Sequence, residues 1–258
     1  MPKVTRRTAL GAAAVATAAV AERAAGLGPE IVERDELAFR GDPNRRWAVL
    51  VDLRRCVGCQ SCTVSCAVEN RLPAGTFRTV VSDYEVVRGG APRRALVPRM
   101  CNHCEDPACT TVCPTEATYR RADGVVVVNN TKCVGCAACV QACPYEGRSI
   151  NPETGTAEKC TLCAHRIDRG LLPACVETCV GGARVFGDLN DPASAVSILV
   201  RTEPLQALDP AAGTRPRIRY VGLDSELASR PARGRPTLWR HEDVGVEETT
   251  RAVTGEET

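Results

Sequence analysis

A chain of 258 residues is long enough for one or two domains with buried cores. Its 33 basic and 31 acidic residues leave a net charge of only +2, which excludes the concentrated basic excess of a nucleic-acid binder. Aromatic residues make up 3% of the chain while cysteines number 16, so the centre is short of large apolar side chains and something else must fill it.

The N-terminus carries Arg6-Arg7 ahead of an alanine-rich apolar run to Ala21. This is the twin-arginine pattern, an address read by a receptor, and the run is too short and too weakly apolar to span a bilayer. Ala19-Val20-Ala21 offers a small-x-small cleavage site, although Ala9 stands where such signals prefer a bulky apolar residue. Residues 1–40 are therefore expected to be signal and linker, sending a folded protein to the periplasm. That destination is oxidising, so disulfides compete as an explanation of the cysteines until their spacing is considered.

The first predicted element is a strand over Trp47–Leu53, which feeds Cys56, Cys59, Cys62 and Cys66. A helix is expected from Cys62 to Asn70. Thr79–Val87 and Ala95–Val97 flank Arg88-Gly89-Gly90-Ala91 and read as an inserted β-hairpin. Next comes the quartet Cys101, Cys104, Cys109 and Cys113. A second hairpin, Ala117–Arg121 and Val125–Val128 around Ala122-Asp123-Gly124, delivers the chain to Cys133, Cys136, Cys139 and Cys143. The last quartet is Cys160, Cys163, Cys175 and Cys179. After Asp188, Asp191-Pro192 is expected to open a helix over Ala193–Val200, and Arg217–Val221 a strand. From Leu223 the chain is charged and proline-rich and reads as a tail.

The first and third quartets have the spacing C-x2-C-x2-C-x3-C of bacterial ferredoxins. Three thiolates at this interval curl a loop around a cube of iron and sulfide, while the fourth points away and ligates the partner cluster. Cys113 and Cys143 precede Pro114 and Pro144, whereas Cys66 and Cys179 precede Ala67 and Val180, so the inner quartets pair with each other and the outer quartets likewise. The crossed scheme assigns Cys101, Cys104, Cys109 and Cys143 to one cluster and Cys133, Cys136, Cys139 and Cys113 to its partner. It assigns Cys56, Cys59, Cys62 and Cys179 to a third, and Cys160, Cys163, Cys175 and Cys66 to the fourth. All sixteen cysteines are used, for four 4Fe–4S clusters. Structural zinc prefers two C-x2-C pairs per site and would be crowded by a third nearby thiolate. Disulfides within so dense a run would make strained local loops.

His103 and His165 lie beside cysteines and are read as supporting residues, since each cluster already has four thiolates. Lys132 and Lys159 precede the first cysteine of a quartet, where a cation would favour the reduced cluster. Gly58, Gly135, Gly181 and Gly182 lie in or near the loops, with backbone amides available to sulfide. There is no nucleophile–base pair and no phosphate loop, so no catalytic residue is assigned.

From Trp47 to about Leu223 the chain resembles the electron-transfer beta subunits of complex iron–sulfur molybdoenzymes. The likeness is carried by Asp52-Leu53-Arg54-Arg55-Cys56-Val57-Gly58-Cys59-Gln60-Ser61-Cys62-Thr63-Val64-Ser65-Cys66-Ala67, by Leu171-Leu172-Pro173-Ala174-Cys175-Val176-Glu177 and by Cys179-Val180-Gly181-Gly182-Ala183-Arg184. Within the family it is similar to the subunits serving tetrathionate, with polysulfide, thiosulfate, dimethyl sulfoxide and arsenate enzymes as alternatives. The resemblance implies a relay between a membrane quinol-oxidising subunit and a molybdopterin catalytic subunit, with no membrane span in this chain. A free polyferredoxin shuttle is the competing class. The expected fold is α+β: two bacterial-ferredoxin-like lobes with an inserted β-hairpin over 41–190, and a partly flexible C-terminal extension over 191–258.

Overall fold

The computed structural model describes residues 40–232; the signal and linker expected over 1–40, save Arg40, and residues 233–258 of the expected tail lie outside the described residues. Strand β1 (Trp47–Asp52) is an unbroken apolar run whose residues from Ala48 onward are all buried, the pattern of a strand covered on both faces. A single 3₁₀ turn over Leu53–Arg55, capped by the Asp52 carboxylate accepting from the Arg54 N–H, hands the chain to Cys56. Helix α1 (Ser61–Glu69) starts at Gln60, which is left-handed with φ 59°, and buries Cys62, Thr63 and Cys66 on one face. It ends at Asn70, whose N–H returns to the Cys66 carbonyl.

Strands β2 (Thr79–Arg88) and β3 (Ala91–Met100) pair antiparallel along their whole length. The returning strand begins at Ala91, earlier than the expected Ala95. Gly89 and Gly90 have φ 61° and 78°, and this two-residue turn sets Ala91 directly opposite Arg88. Helix α2 (Ala108–Thr111) precedes the ladder of β4 (Thr118–Arg120) with β5 (Val126–Val128). Helix α3 (Ala138–Gln141) precedes the ladder of β6 (Arg148–Ile150) with β7 (Ala157–Lys159). Helices α4 (Ala164–Ile167) and α5 (Ala174–Glu177) lead into β8 (Arg184–Asp188). The fold is thus a mixture of strands and short helices, with a ferredoxin-like 4Fe–4S region at its centre.

Helix α6 (Ala195–Thr202) starts two residues later than expected. Asp191 does not cap it; its carboxylate instead accepts from the Ala193 N–H at 2.8 Å, closing a separate turn through Pro192. Strands β9 (Leu205–Gln206) and β10 (Ile218–Val221) then join β8 and β1 in one sheet of order β8-β1-β10-β9. β1 runs antiparallel to β8 and parallel to β10. Two strands of the stretch expected as a C-terminal extension over 191–258, β9 and β10, thus pair into the central sheet, β10 covering the edge of the buried β1 that β8 leaves open. The chain does not become a tail at Leu223 either. Helix α7 (Ser225–Ala228) is capped by Asp224 and buries Leu227 and Ala228, and the Tyr84 hydroxyl donates to the Pro231 carbonyl at 2.5 Å.

Candidate metal centres

One local arrangement recurs four times. The third cysteine of every quartet is the second residue of a helix: Cys62 on α1, Cys109 on α2, Cys139 on α3 and Cys175 on α5. The fourth lies one turn further on, Cys66 within α1 and Cys113, Cys143 and Cys179 just past α2, α3 and α5. A helical turn carries the fourth side chain out of the loop that presents the first three.

Cys56, Cys59, Cys62 and Cys179 together line one cavity. Cys66, Cys160, Cys163 and Cys175 line another. In the inner pair, Cys101 and Cys104 lie in one apolar core with Cys143 packed against it. Cys133 and Cys139 share one apolar cluster with Cys109, and α2, which leads to Cys113, packs on α3. The backbone aims donors at these sulfurs. The N–H groups of Thr118, Ala157, Leu162 and Ala183 lie 3.5, 3.4, 3.3 and 3.2 Å from Cys113, Cys133, Cys160 and Cys179 Sγ respectively.

None of the sixteen cysteines is paired in a disulfide. Among the described residues, no three or more Cys, His, Asp or Glu side chains are arranged to hold a lone metal ion. Four sulfurs drawn from two quartets around one cavity, in no arrangement that would grip a lone ion, suit a polynuclear body such as an iron–sulfur cube. The protonation energetics agree. Burial pushes the Cys66 and Cys104 thiols up to about 12, and Cys160 and Cys175 are raised by the same cause. Bare thiolates are thus disfavoured at these positions, and a bound cation would reverse that preference. Around the second quartet several buried polar atoms have no hydrogen-bond partner: His103 Nε2, both side-chain polar atoms of Asn102, and Arg148 Nε. Such atoms are expected where a polar guest belongs.

His103 is 1% exposed, and its Nδ1 accepts from the Val126 N–H at 3.1 Å. His165 is exposed and pairs with Glu69 at 2.8 Å. Neither lines the two cavities. The two lysines part company: Lys132 is exposed, while Lys159 is 2% exposed and donates to the carbonyls of Val126 and Cys160. Gly181 is in contact with backbone, since a Cβ there would lie 2.2 Å from the Arg55 carbonyl oxygen.

Two basic residues were not singled out by spacing. Arg184 Nη2 lies 3.6 Å from Cys62 Sγ and Nη1 4.0 Å from Cys175 Sγ. Arg148 Nη2 lies 3.0 Å from Cys109 Sγ. The available signal was position: each stands five residues beyond a fourth cysteine, Cys179 or Cys143. Asn70, a neutral residue, also reaches a thiol, its Nδ2 3.5 Å from Cys66 Sγ.

Residues 93–189 match the family described as a 4Fe–4S dicluster domain. The protein is 54% identical over 206 residues to the B subunit of tetrathionate reductase from Salmonella typhimurium, an alignment covering 78% of this sequence and 82% of that one. It is 44% identical over 192 residues to the B subunit of tetrathionate reductase from Archaeoglobus fulgidus, covering 71% and 89%. It is 35% identical over 180 residues to the B component of polysulfide reductase from Wolinella succinogenes, covering 69% and 94%. With sixteen free cysteines in four repeated settings and relatives of this closeness, the protein belongs to the iron–sulfur B-subunit family of these reductases, and its part is electron transfer, not substrate chemistry.

Proposed function

We propose that this protein holds four 4Fe–4S clusters in two crossed pairs and relays electrons from a membrane quinol-oxidising subunit to a molybdopterin subunit that reduces tetrathionate. The observation that carries this reading is the gathering of cysteines from different quartets around shared cavities: Cys179 with Cys56, Cys59 and Cys62, and Cys66 with Cys160, Cys163 and Cys175. Bound 4Fe–4S cubes supply one-electron redox chemistry over a wide span of potential. The protein's share is to fix their positions, to exclude water and to set the charge around them.

The packing of the cysteines supports an order for the relay. Arg184 joins Cys62 of the first site to Cys175 of the fourth, and Cys160 of the fourth shares an apolar core with Cys101 of the second. Arg148 contacts Cys109 of the second site, which shares an apolar cluster with Cys139 of the third. The row therefore runs from the Cys56 site through the Cys160 and Cys101 sites to the Cys133 site. Only Cys59 and Cys136 are exposed, and they belong to the two ends of that row. Val57 and Val180 beside Cys59, and Val134 beside Cys136, are 64%, 74% and 66% exposed. Apolar skin around an accessible thiol suits a surface where a redox partner seats and water is excluded.

Tetrathionate is favoured over polysulfide by the 54% likeness to a tetrathionate reductase subunit against 35% to a polysulfide reductase component. Export by the twin-arginine route rests on Arg6-Arg7, and it suits a protein that must fold around its cofactors before crossing the membrane. Affinity purification of the tagged protein from anaerobic cells tests the whole reading. The expected result is a complex containing a molybdenum subunit and a membrane subunit that oxidises reduced dye with tetrathionate. A protein that purifies alone and itself turns over tetrathionate would overturn it.

A further inference from the structure

The two arginines missed by spacing occupy equivalent places. Arg148 is the first residue of β6 and Arg184 the first residue of β8, each five residues beyond the cysteine that crosses to the partner cluster. Both are buried, at 4% and 3% exposure. Each guanidinium is steadied by the threonine that opens a strand: Arg184 Nη2 donates to Thr79 Oγ1 at 2.7 Å, and Arg148 Nη1 to Thr118 Oγ1 at 3.1 Å. Arg184 Nη1 also meets Met100 Sδ at 2.9 Å.

Their cysteine partners are equivalent as well. Arg184 turns one prong to Cys62, at 3.6 Å, and the other to Cys175, at 4.0 Å. Arg148 contacts Cys109 at 3.0 Å, and Cys109 shares one apolar cluster with Cys139. These four are the third cysteines of the four quartets. Arg184 therefore touches one thiol from each site of its pair, and Arg148 touches one and sits beside the other; neither is hydrogen-bonded to a thiol of the other pair.

We propose that Arg184 and Arg148 are bridging cations, each poising both clusters of one crossed pair together; this rests on the four-cluster reading above. Adding an electron makes a thiolate-ligated cluster more negative, and a fixed positive charge at hydrogen-bond distance favours that state. Two clusters held side by side repel each other's electrons, and a cation between them offsets the repulsion for both. Burial keeps the charge from being screened by salt. Arginine suits the place because its guanidinium stays charged and its planar fork presents donors in two directions, which a lysine ammonium on a single flexible stem does not.

The test is a potentiometric titration of the cluster-loaded full chain, followed by low-temperature electron paramagnetic resonance, on Arg184→Gln and Arg148→Gln. Arg184→Gln should shift two of the four cluster signals, each by about tenfold or more in the equilibrium toward the oxidised form, which is about 59 mV for one electron. Arg148→Gln should shift the other two. A shift of one signal, of all four, of the same two in both variants, or of none would overturn the bridge. Should a glutamine variant fail to load, Arg184→Lys decides. It keeps the charge but not the fork, so one potential of the outer pair should fall while the other stays; two unchanged potentials would make Arg184 a merely structural residue. Iron content separates the two readings. Unmodified protein short of about four iron atoms per quartet would defeat the four-cluster reading, whereas full iron with unmoved potentials defeats only the bridge.

Discussion

Gly181 has no room for a side chain, because a Cβ there would stand 2.2 Å from the Arg55 carbonyl oxygen, a backbone atom that cannot swing aside. Gly181→Ala should therefore push the Cys179 loop off the Cys56 loop and lower stability by about 1–3 kcal/mol, the usual cost of overpacking. A guanidinium titration read by cluster absorbance checks this; an unchanged midpoint would mean that the two loops are not held together there. Crossing is also tested one residue at a time. Cys143→Ser should alter the cluster held by Cys101, Cys104 and Cys109 and spare the one in its own loop. Spectra in which only the Cys133, Cys136 and Cys139 site changed would contradict the crossed assignment. Arg121 offers a third test. Its buried guanidinium donates to Asp168 at 2.6 Å and to the fully buried Asp123 at 2.8 Å, tying the β4–β5 hairpin to the segment after α4. Arg121→Leu would leave Asp123 buried without this ion-pair partner, and a loss of about 3–5 kcal/mol is expected from the same titration.

At the scale of elements, β10 does the unexpected work. Tyr220 is 0% exposed, faces β1 and β9 in register, and its hydroxyl donates to the Pro98 carbonyl at 2.9 Å. Tyr220→Ala should cost about 3–5 kcal/mol, as for other large core truncations, and should also loosen β3 through Pro98. A midpoint near that of the unmodified protein would place β10 outside the folding core. The strand over Trp47–Asp52 was legible because its apolar run is continuous, and α1 was expected over Cys62–Asn70 where the structure has Ser61–Glu69. The cysteine groups were legible because a cluster imposes short-range spacing. What escaped was set at long range. β8, Arg184–Asp188, carries an arginine, a glycine and an aspartate in five residues and shows no alternation, so only its pairing with β1 makes it a strand. β7 is three residues, Ala157–Lys159, with a charge at its centre and a lysine that is buried only because Val126 and Cys160 offer it carbonyls. Arg148 and Arg184 were not assigned to the sites by spacing, since two of their sulfur partners, Cys109 and Cys62, lie 39 and 122 residues away in the sequence.

For the whole molecule, the sheet and the cysteine sites share one fabric. The main apolar core mixes Val49, Tyr84 and Tyr220 with Cys101, Cys104 and Cys160, so the packing of the sheet ends on thiols. With aromatic residues at 3% of the sequence, much of the interior must be filled by what those thiols hold. Cluster binding is then folding energy, and removal of iron by a chelator under reducing conditions should unfold the protein instead of leaving a folded apo-form. Retained far-ultraviolet circular dichroism with a cooperative thermal transition after iron loss would count against that coupling. The most direct measurement of the central claim is the iron and acid-labile sulfide content of anaerobically purified protein. Four cubes in crossed cysteine pairs require about sixteen atoms of each per molecule. Zinc at about four or more atoms per molecule, or cystines in place of free thiols with iron near zero, would contradict it.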